Sequence, residues 1–291
     1  MASDQPAAKR GLKLAICVQT DEAPRPVPVA LFSGPLAERA HKAAAAGADG
    51  LELMPVDPAR LDAAAVRDLL AEYGLAAAAI GSGAIAFSTG LTLLHADPIM
   101  AEHARTRLAD LIDFAAAVGA PVVTVGSLRG RAAAAGSAGR AELARVLADA
   151  ARHAGDAGVR LALEPVNRYE LDLIHTTEEG LAFVAEIGHP ALGLVLDTYH
   201  MNIEEASRTE PFCAALAAGR LFHVHVGDNN RLPPGRGLID FAAIVDTLHA
   251  AGYHGYLSAE LLAHPDGDTA ARQTLDHLRP LVARARVTQG A

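Results

Sequence analysis

The sequence predicts an α/β protein folded as a single (βα)8 TIM barrel. Three features carry that prediction. One grammar repeats along the chain: an alanine-rich helical stretch, a glycine, then a short apolar run. The repeats are spaced as a strand, a loop and a helix would be. The early phosphate-binding glycine loop expected of the rival doubly wound sheet is missing. At 291 residues the chain is long for one domain, but barrels of this length are common as single units. The expectation is one domain over residues 1–291, with residues 1–11 a flexible N-terminal tail.

The elements follow in order. LKLAICVQT, near the start, reads as the first strand. The next three strands are the apolar runs of HKAAAAGADGLELMP (41–55), LLAEYGLAAAAIG (69–81) and FAAAVGAPVVTVG (114–126). The fifth and sixth lie in HAGDAGVRLALEP (153–165) and VAEIGHPALGLVLD (184–197). The last two lie in ALAAGRLFHVHVG (215–227) and LHAAGYHGYLSAEL (248–261). The glycine in each unit (Gly47, Gly74, Gly119, Gly158, Gly188, Gly219 and Gly252) suits the left-handed turn that ends a helix. DTAARQTLDHLRPLVARAR (268–286) supplies the helix after the eighth strand.

Composition narrows the function. Hydrophobic residues make up 51% of the chain, enough for a large core, and the net charge is −9. A negative chain without a basic stripe does not suit a nucleic-acid backbone. The two cysteines, Cys17 and Cys213, make no disulfide framework and suit a reducing compartment. LKLAICV (12–18) is too short to span a membrane, and the charged start lacks a signal-type apolar core. A soluble cytoplasmic protein working without membrane or nucleic acid, and assembling as a homo-oligomer, is expected.

Barrel sites lie at the C-terminal ends of the strands. The fifth strand ends in Glu164 and the sixth in Asp197; the seventh carries His225 and the eighth Glu260. Strand alternation gives their facing. Leu161, Leu163, Leu194, Leu196, Phe222, Val224, Leu257 and Ala259 suit packing under helices. Glu164 shares its side with Ala162, Asp197 with Val195, His225 with His223, and Glu260 with Ser258. The four polar residues therefore point into the barrel mouth together. Three carboxylates and an imidazole would repel one another without a cation. The oxygen-rich set fits one divalent ion, Mn²⁺ foremost, with Co²⁺ or Mg²⁺ as alternatives, and not a structural zinc. His223, one layer deeper, reads as a hydrogen-bonded core histidine and is the alternative ligand. Glu52 reads as buried and paired.

LALEPVNRYE (161–170), LVLDTYHMNIEE (194–205) and HVHVGDNNRLPPGRG (223–237) resemble the xylose-isomerase-like barrels, and among them the D-tagatose/D-psicose 3-epimerase group. A narrower likeness, to 5-keto-L-gluconate epimerases, rests on AIGSG (79–83), GLTLLH (90–95) and GSLRGR (126–131). The resemblance implies that Glu164, Asp197, His225 and Glu260 are the metal ligands and that Glu164 and Glu260 double as the acid/base pair. It also implies that His200, Arg231 and Glu170 hold substrate carbonyl and hydroxyl oxygens. It further implies inversion of the carbon next to the carbonyl of a ketose or keto-sugar acid, through an enediolate. Aldose–ketose or hydroxypyruvate-type isomerisation is the alternative on the same residues. An endonuclease IV-like nuclease would need a basic face, and a non-catalytic sugar-binding protein would not need two opposed carboxylates. The GSLRGR segment departs from the free-ketohexose enzymes. There Arg129, just past the fourth strand, is expected to bind a substrate carboxylate. The loops DEAPRPVPVALFSG (21–34) and GSGAIAFSTGLTLLHADP (81–98) are expected to close the site.

Overall fold

The computed structural model describes residues 11–287. The tail expectation, apart from Gly11, lies outside them. Eight parallel strands close in sequence order: β1 (Lys13–Gln19), β2 (Gly50–Met54), β3 (Ala76–Gly81), β4 (Val122–Val125), β5 (Arg160–Leu163), β6 (Leu192–Asp197), β7 (Leu221–Val226) and β8 (Tyr256–Ala259). β8 pairs back onto β1 through Lys13 opposite Tyr256 and Leu14 opposite Leu257. The sheet therefore has no open edge, and every strand is covered by helices outside and side chains inside.

The helices between them are α1 (Leu36–Ala46), α2 (Ala63–Glu72), α3 (Gly83–Thr89), α4 (Pro98–Val118), α5 (Gly139–Asp156) and α6 (Thr177–Ile187). α7 (Thr198–Glu204), α8 (Glu210–Ala217), α9 (Phe241–Ala250) and α10 (Gly267–Val287) complete the ring. The seven punctuating glycines all have positive φ, so the repeat seen in the sequence is a helix-to-strand reversal. At Gly119 (φ 78°) α4 ends as its amide reaches back to Ala115 and Ala116, a conformation that a β-carbon would disfavour.

Outward strand residues such as Leu161, Leu163, Leu194, Leu196, Val224 and Leu257 belong to the large core between sheet and helices. Phe222 does not, contrary to the alternation reading. Leu194 pairs with Leu221 and Val195 with His223, so Phe222 is an extra residue in β7. This bulge turns its ring inward onto Ala79, Val122, Ala162 and Val195, the floor of the barrel. Gly193 makes room, since a β-carbon there would fall 2.5 Å from the ring. Above that floor sits a polar layer: Cys17, Glu52, Thr124, His223 and Ser258 are all buried.

The two loops expected to close the site differ in build. Val27 and Val29 of the first pack on Cys17, Met54, Val56 and Ala84. The second is not irregular throughout: it holds α3, whose Phe87 faces the recess at the barrel mouth.

Candidate metal centre and active site

The four strand-end residues meet. Glu164, Asp197, His225 and Glu260 are buried. Each offers a ligand atom lying within 4.8 Å of the others. The backbone explains their placement. Glu164 directly follows β5 and donates its amide to the Val125 carbonyl (3.0 Å). Asp197 closes β6 and caps α7, its Oδ1 accepting the Tyr199 amide at 2.8 Å. Glu260 follows β8, its amide 3.3 Å from the Val226 carbonyl.

His225 is the hub. Its Nδ1 lies 3.4 Å from Glu164 Oε1 and 3.4 Å from Glu260 Oε2. Its Nε2 turns the other way, 3.1 Å from both oxygens of Glu52. His223 lies below, with Nε2 3.0 Å from Glu52 Oε2, so it is the hydrogen-bonded core histidine expected. Glu52 is buried and paired as expected, but its partners are the two histidines of β7, which sequence alone did not indicate.

The electrostatics call for a cation. Burial, reinforced by Glu260 and Glu164 and opposed by Arg231, pushes the Asp197 carboxyl up to about 8. Burial likewise raises Glu164, with Glu260 adding and His225 opposing. The His225 pKa is raised well above the usual value; burial opposes this, but Glu52, Glu260 and Glu164 outweigh it. Burial would raise Glu52 too, yet His225 and His223 hold it well below the usual carboxylate range. Asp197 Oδ2 is buried with no hydrogen-bond partner. An orphaned carboxylate oxygen facing two more carboxylates and an imidazole nitrogen is a donor set that fits a hard divalent ion.

The residues expected to hold substrate border the cluster. Arg231 sits in the left-handed region (φ 58°), a strained position for a non-glycine residue. That turn brings its guanidinium 3.1 Å from Glu260 Oε2, 3.3 Å from Glu170 Oε1 and 4.7 Å above the Tyr199 ring. Burial opposes the Arg231 charge, but Glu260, Asp197 and Glu170 raise its pKa. The His200 pKa is held well below the usual value by burial, then by Arg231 and His225. Its Nδ1 lies 2.7 Å from the Asn167 side-chain amide. That amide also donates to Glu170 Oε1 (3.0 Å), while the Asn167 oxygen accepts the Tyr169 amide (3.0 Å). Since the amide nitrogen only donates, His200 accepts at Nδ1 and carries its proton on Nε2, 3.8 Å from both Glu164 Oε1 and Asp197 Oδ2. Asn167 thus orients both His200 and Glu170, a role that sequence reading left unassigned. The recess beside these groups is walled by Met54, Gly81, Gly83, Phe87, Gly126 and Ser127.

Arg129 is not where the substrate-carboxylate expectation needs it. It is fully buried. Its guanidinium donates to the backbone carbonyls of Glu164, Leu173 (2.8 Å) and Ile174 (3.0 Å). A short 3₁₀ turn, Ser127–Arg129, folds the side chain back under the β5 exit instead of into the recess. Burial lowers its pKa to about 10, with Glu164 and Asp172 opposing. Arg131, the weaker candidate, reaches the Tyr169 carbonyl (3.3 Å) near the surface. Arg129→Ala would take a donor from the Glu164, Leu173 and Ile174 carbonyls, of which Ile174 keeps the Val166 amide at 3.1 Å, and would leave a void. The expected cost is about 3 kcal/mol in chemical denaturation, with equal losses of activity on neutral and acidic substrates. A loss confined to acids would restore Arg129 as a substrate ligand.

A closed barrel with a buried carboxylate–imidazole cluster at its C-terminal mouth has its polar groups where barrel enzymes place their active sites. Residues 40–281 match the xylose isomerase-like TIM barrel family, and the chain belongs to it. It is 35% identical over 240 residues to L-ribulose 3-epimerase of Methylomonas sp. (strain DH-1), spanning 80% of each chain. It is 33% identical over 218 residues to a ketose 3-epimerase of Arthrobacter globiformis, spanning 74% of this chain and 73% of that one. Among solved structures, D-allulose 3-epimerase from Methylomonas sp. in complex with D-allulose superposes with a TM-score of 0.75 at 28% identity, covering 93% of this chain and 97% of that one. These relatives are sugar epimerases, and the chain is an enzyme of the sugar isomerase and epimerase class.

Proposed function

We propose that the chain is a divalent-metal-dependent epimerase that inverts C3 of a neutral ketose. The observation that carries the reading is the Glu164–Asp197–His225–Glu260 cluster at the barrel mouth. These four residues would hold the ion. An ion there would polarise the substrate carbonyl and make the neighbouring carbon acid easier to deprotonate.

The chain's own residues do the rest. Glu164 on β5 and Glu260 on β8 come to the substrate from different strands. One takes the proton from C3 as the enediolate forms, and the other returns a proton to the opposite face. Burial raises the Glu164 carboxyl, which brings its basicity nearer to that needed for a weak carbon acid. His200 offers its Nε2–H, and Arg231 and Glu170 hold hydroxyls. Phe87 and Met54 would cover the apolar side of the sugar and keep water from the enediolate.

The walls of the recess support a neutral substrate. Among the described residues that line the recess, one carries a guanidinium, Arg231, already set between Glu260 and Glu170. With Arg129 buried on carbonyls, the case for a carboxylate-bearing substrate loses its support. Relatives named for L-ribulose and for ketoses point to a free ketopentose or ketohexose. We place the enzyme in the cytoplasm, in keeping with two free thiols and with no helix among the described residues long and apolar enough to cross a membrane.

The test is product analysis on L-ribulose, D-tagatose, D-psicose and D-fructose in deuterated water with Mn²⁺. Expected are ketose products inverted at C3 and carrying deuterium there. An aldose product would make the enzyme an isomerase instead. Chelation should abolish activity and Mn²⁺ or Co²⁺ should restore it. His225→Ala should weaken metal binding at least about a hundredfold, whereas His223→Ala, which leaves all four ligands in place, should weaken it only a few-fold. The reverse order would show that His223 is the ligand.

A further inference from the structure

We infer that Glu52 is a positioning residue that selects which nitrogen of His225 faces the metal centre. The inference rests on the metal reading above. Glu52 lies on β2, across the barrel from His225, and is 1% exposed. It clusters with Cys17 and His225 on the inner side of that ring, and not with Glu164, Asp197 and Glu260. Its carboxylate spans two rings: both oxygens lie 3.1 Å from His225 Nε2, and Oε2 lies 3.0 Å from His223 Nε2. The Thr124 hydroxyl adds a long contact to Oε1 at 3.4 Å.

An ionised carboxylate accepts hydrogen bonds and donates none. Both histidines must then carry hydrogen on Nε2. For a neutral His225 this leaves the lone pair on Nδ1, the nitrogen 3.4 Å from Glu164 and Glu260. The opposite tautomer would aim an N–H at the ion and a lone pair at Glu52, losing the ligand and setting two acceptors together. The same contact stops the ring from turning about its Cβ–Cγ bond. A carboxylate behind a ligating histidine typically contributes ten- to a hundredfold in metal affinity.

Glu52→Gln is a sharp probe, because both oxygens contact His225 Nε2. Whichever way the new amide lies, its NH2 stands about 3.1 Å from that nitrogen. The amide oxygen, equally near, can still accept the Nε2–H, but the NH2 beside it opposes that hydrogen, so the tautomer and the orientation of the ring are held less firmly.

The experiment is titration calorimetry with Mn²⁺ alone on the full chain, together with melting temperatures with and without Mn²⁺. Native protein, Glu52→Gln, Glu52→Asp and His223→Asn are compared. Glu52→Gln is expected to weaken Mn²⁺ binding about ten- to a hundredfold and to shrink the melting-temperature gain on adding Mn²⁺. Glu52→Asp keeps the charge but withdraws it by one methylene, so an intermediate loss is expected; it also serves if the glutamine variant does not fold. His223→Asn, which leaves the Glu52–His225 contact in place, should bind Mn²⁺ within a few-fold of native. Nitrogen-labelled histidine spectra of the Mg²⁺-loaded protein should show His225 protonated at Nε2. Native-like Mn²⁺ affinity in both Glu52 variants would mean that Glu52 is only a core ion pair, overturning this inference alone. A native chain that binds no Mn²⁺ would overturn the metal reading and this inference with it.

Discussion

Glu260→Gln and Glu164→Gln are each expected to cut turnover by about 10²–10⁴-fold, the range removed when a general acid or base is lost. The amide is close in size to the carboxylate but cannot take a proton from carbon. The two variants should fail on different half-reactions. If Glu164 serves one face of C3 and Glu260 the other, each variant loses deprotonation of one epimer and retains it for the other. Exchange of the C3 proton into deuterated water, followed separately from each epimer, reads this directly. Both residues also belong to the ligand cluster, so metal content must be measured beside the rates. Glu260 has a further partner, Arg231, at 3.1 Å; on losing it the guanidinium keeps Glu170 at 3.3 Å, and the fold should survive. A Glu260→Gln protein that holds metal and exchanges the C3 proton of both epimers at the native rate would contradict a two-carboxylate mechanism.

How much of this was legible in the sequence depends on the range of each interaction. The barrel was, because helix ends and strand starts are local: a glycine, an apolar run and a reversal recur within a few dozen residues. The strand-end cluster was legible for a related reason. Period-two alternation fixes which side a residue faces, and the barrel closes all eight strand ends onto one mouth. The failures came where one extra residue or one turn intervened. The bulge at Phe222 reverses facing without any mark in FHVHV except the small Gly193 across the sheet. Arg129 follows β4 closely enough to suggest the recess, but the Ser127–Arg129 turn sends it below. The pairing of Glu52 with His225 spans most of the barrel's chain length, and no pattern within either strand names its partner. Asn167 was visible inside a distinctive string, yet its role emerged only when His200 came within 2.7 Å.

A second large loss is expected from Gly126→Ala, a substitution distant from the ligands in sequence. Gly126 directly follows β4 and lines the recess. A β-carbon there would overlap Glu164 Oε2 and lie 3.3 Å from its carboxyl carbon. Such an overlap cannot persist, so either the backbone or the carboxylate must move. The backbone of Glu164 is held on two sides, by its amide on the Val125 carbonyl at 3.0 Å and by the Arg129 guanidinium on its carbonyl. The side-chain end is freer, and it is the part that yields. Its displacement removes Glu164 Oε1 from its place 3.4 Å from His225 Nδ1 and 3.8 Å from His200 Nε2. A shift of about 1 Å in a reacting group is enough to cost roughly a hundredfold in rate, and here a ligand and a base move together. The expected result is a turnover at least about a hundredfold below native, weaker Mn²⁺ binding, and a metal-free melting temperature close to native, because the clash is relieved within one side chain. Gly83→Ala is the matched control: its β-carbon would meet Met54 and Phe87 at 3.5 Å, an ordinary contact in the same recess, and the loss should be a few-fold at most. Comparable losses in the two variants would point to general crowding of the recess, and native activity in Gly126→Ala would show that Glu164 does not need the position it occupies here.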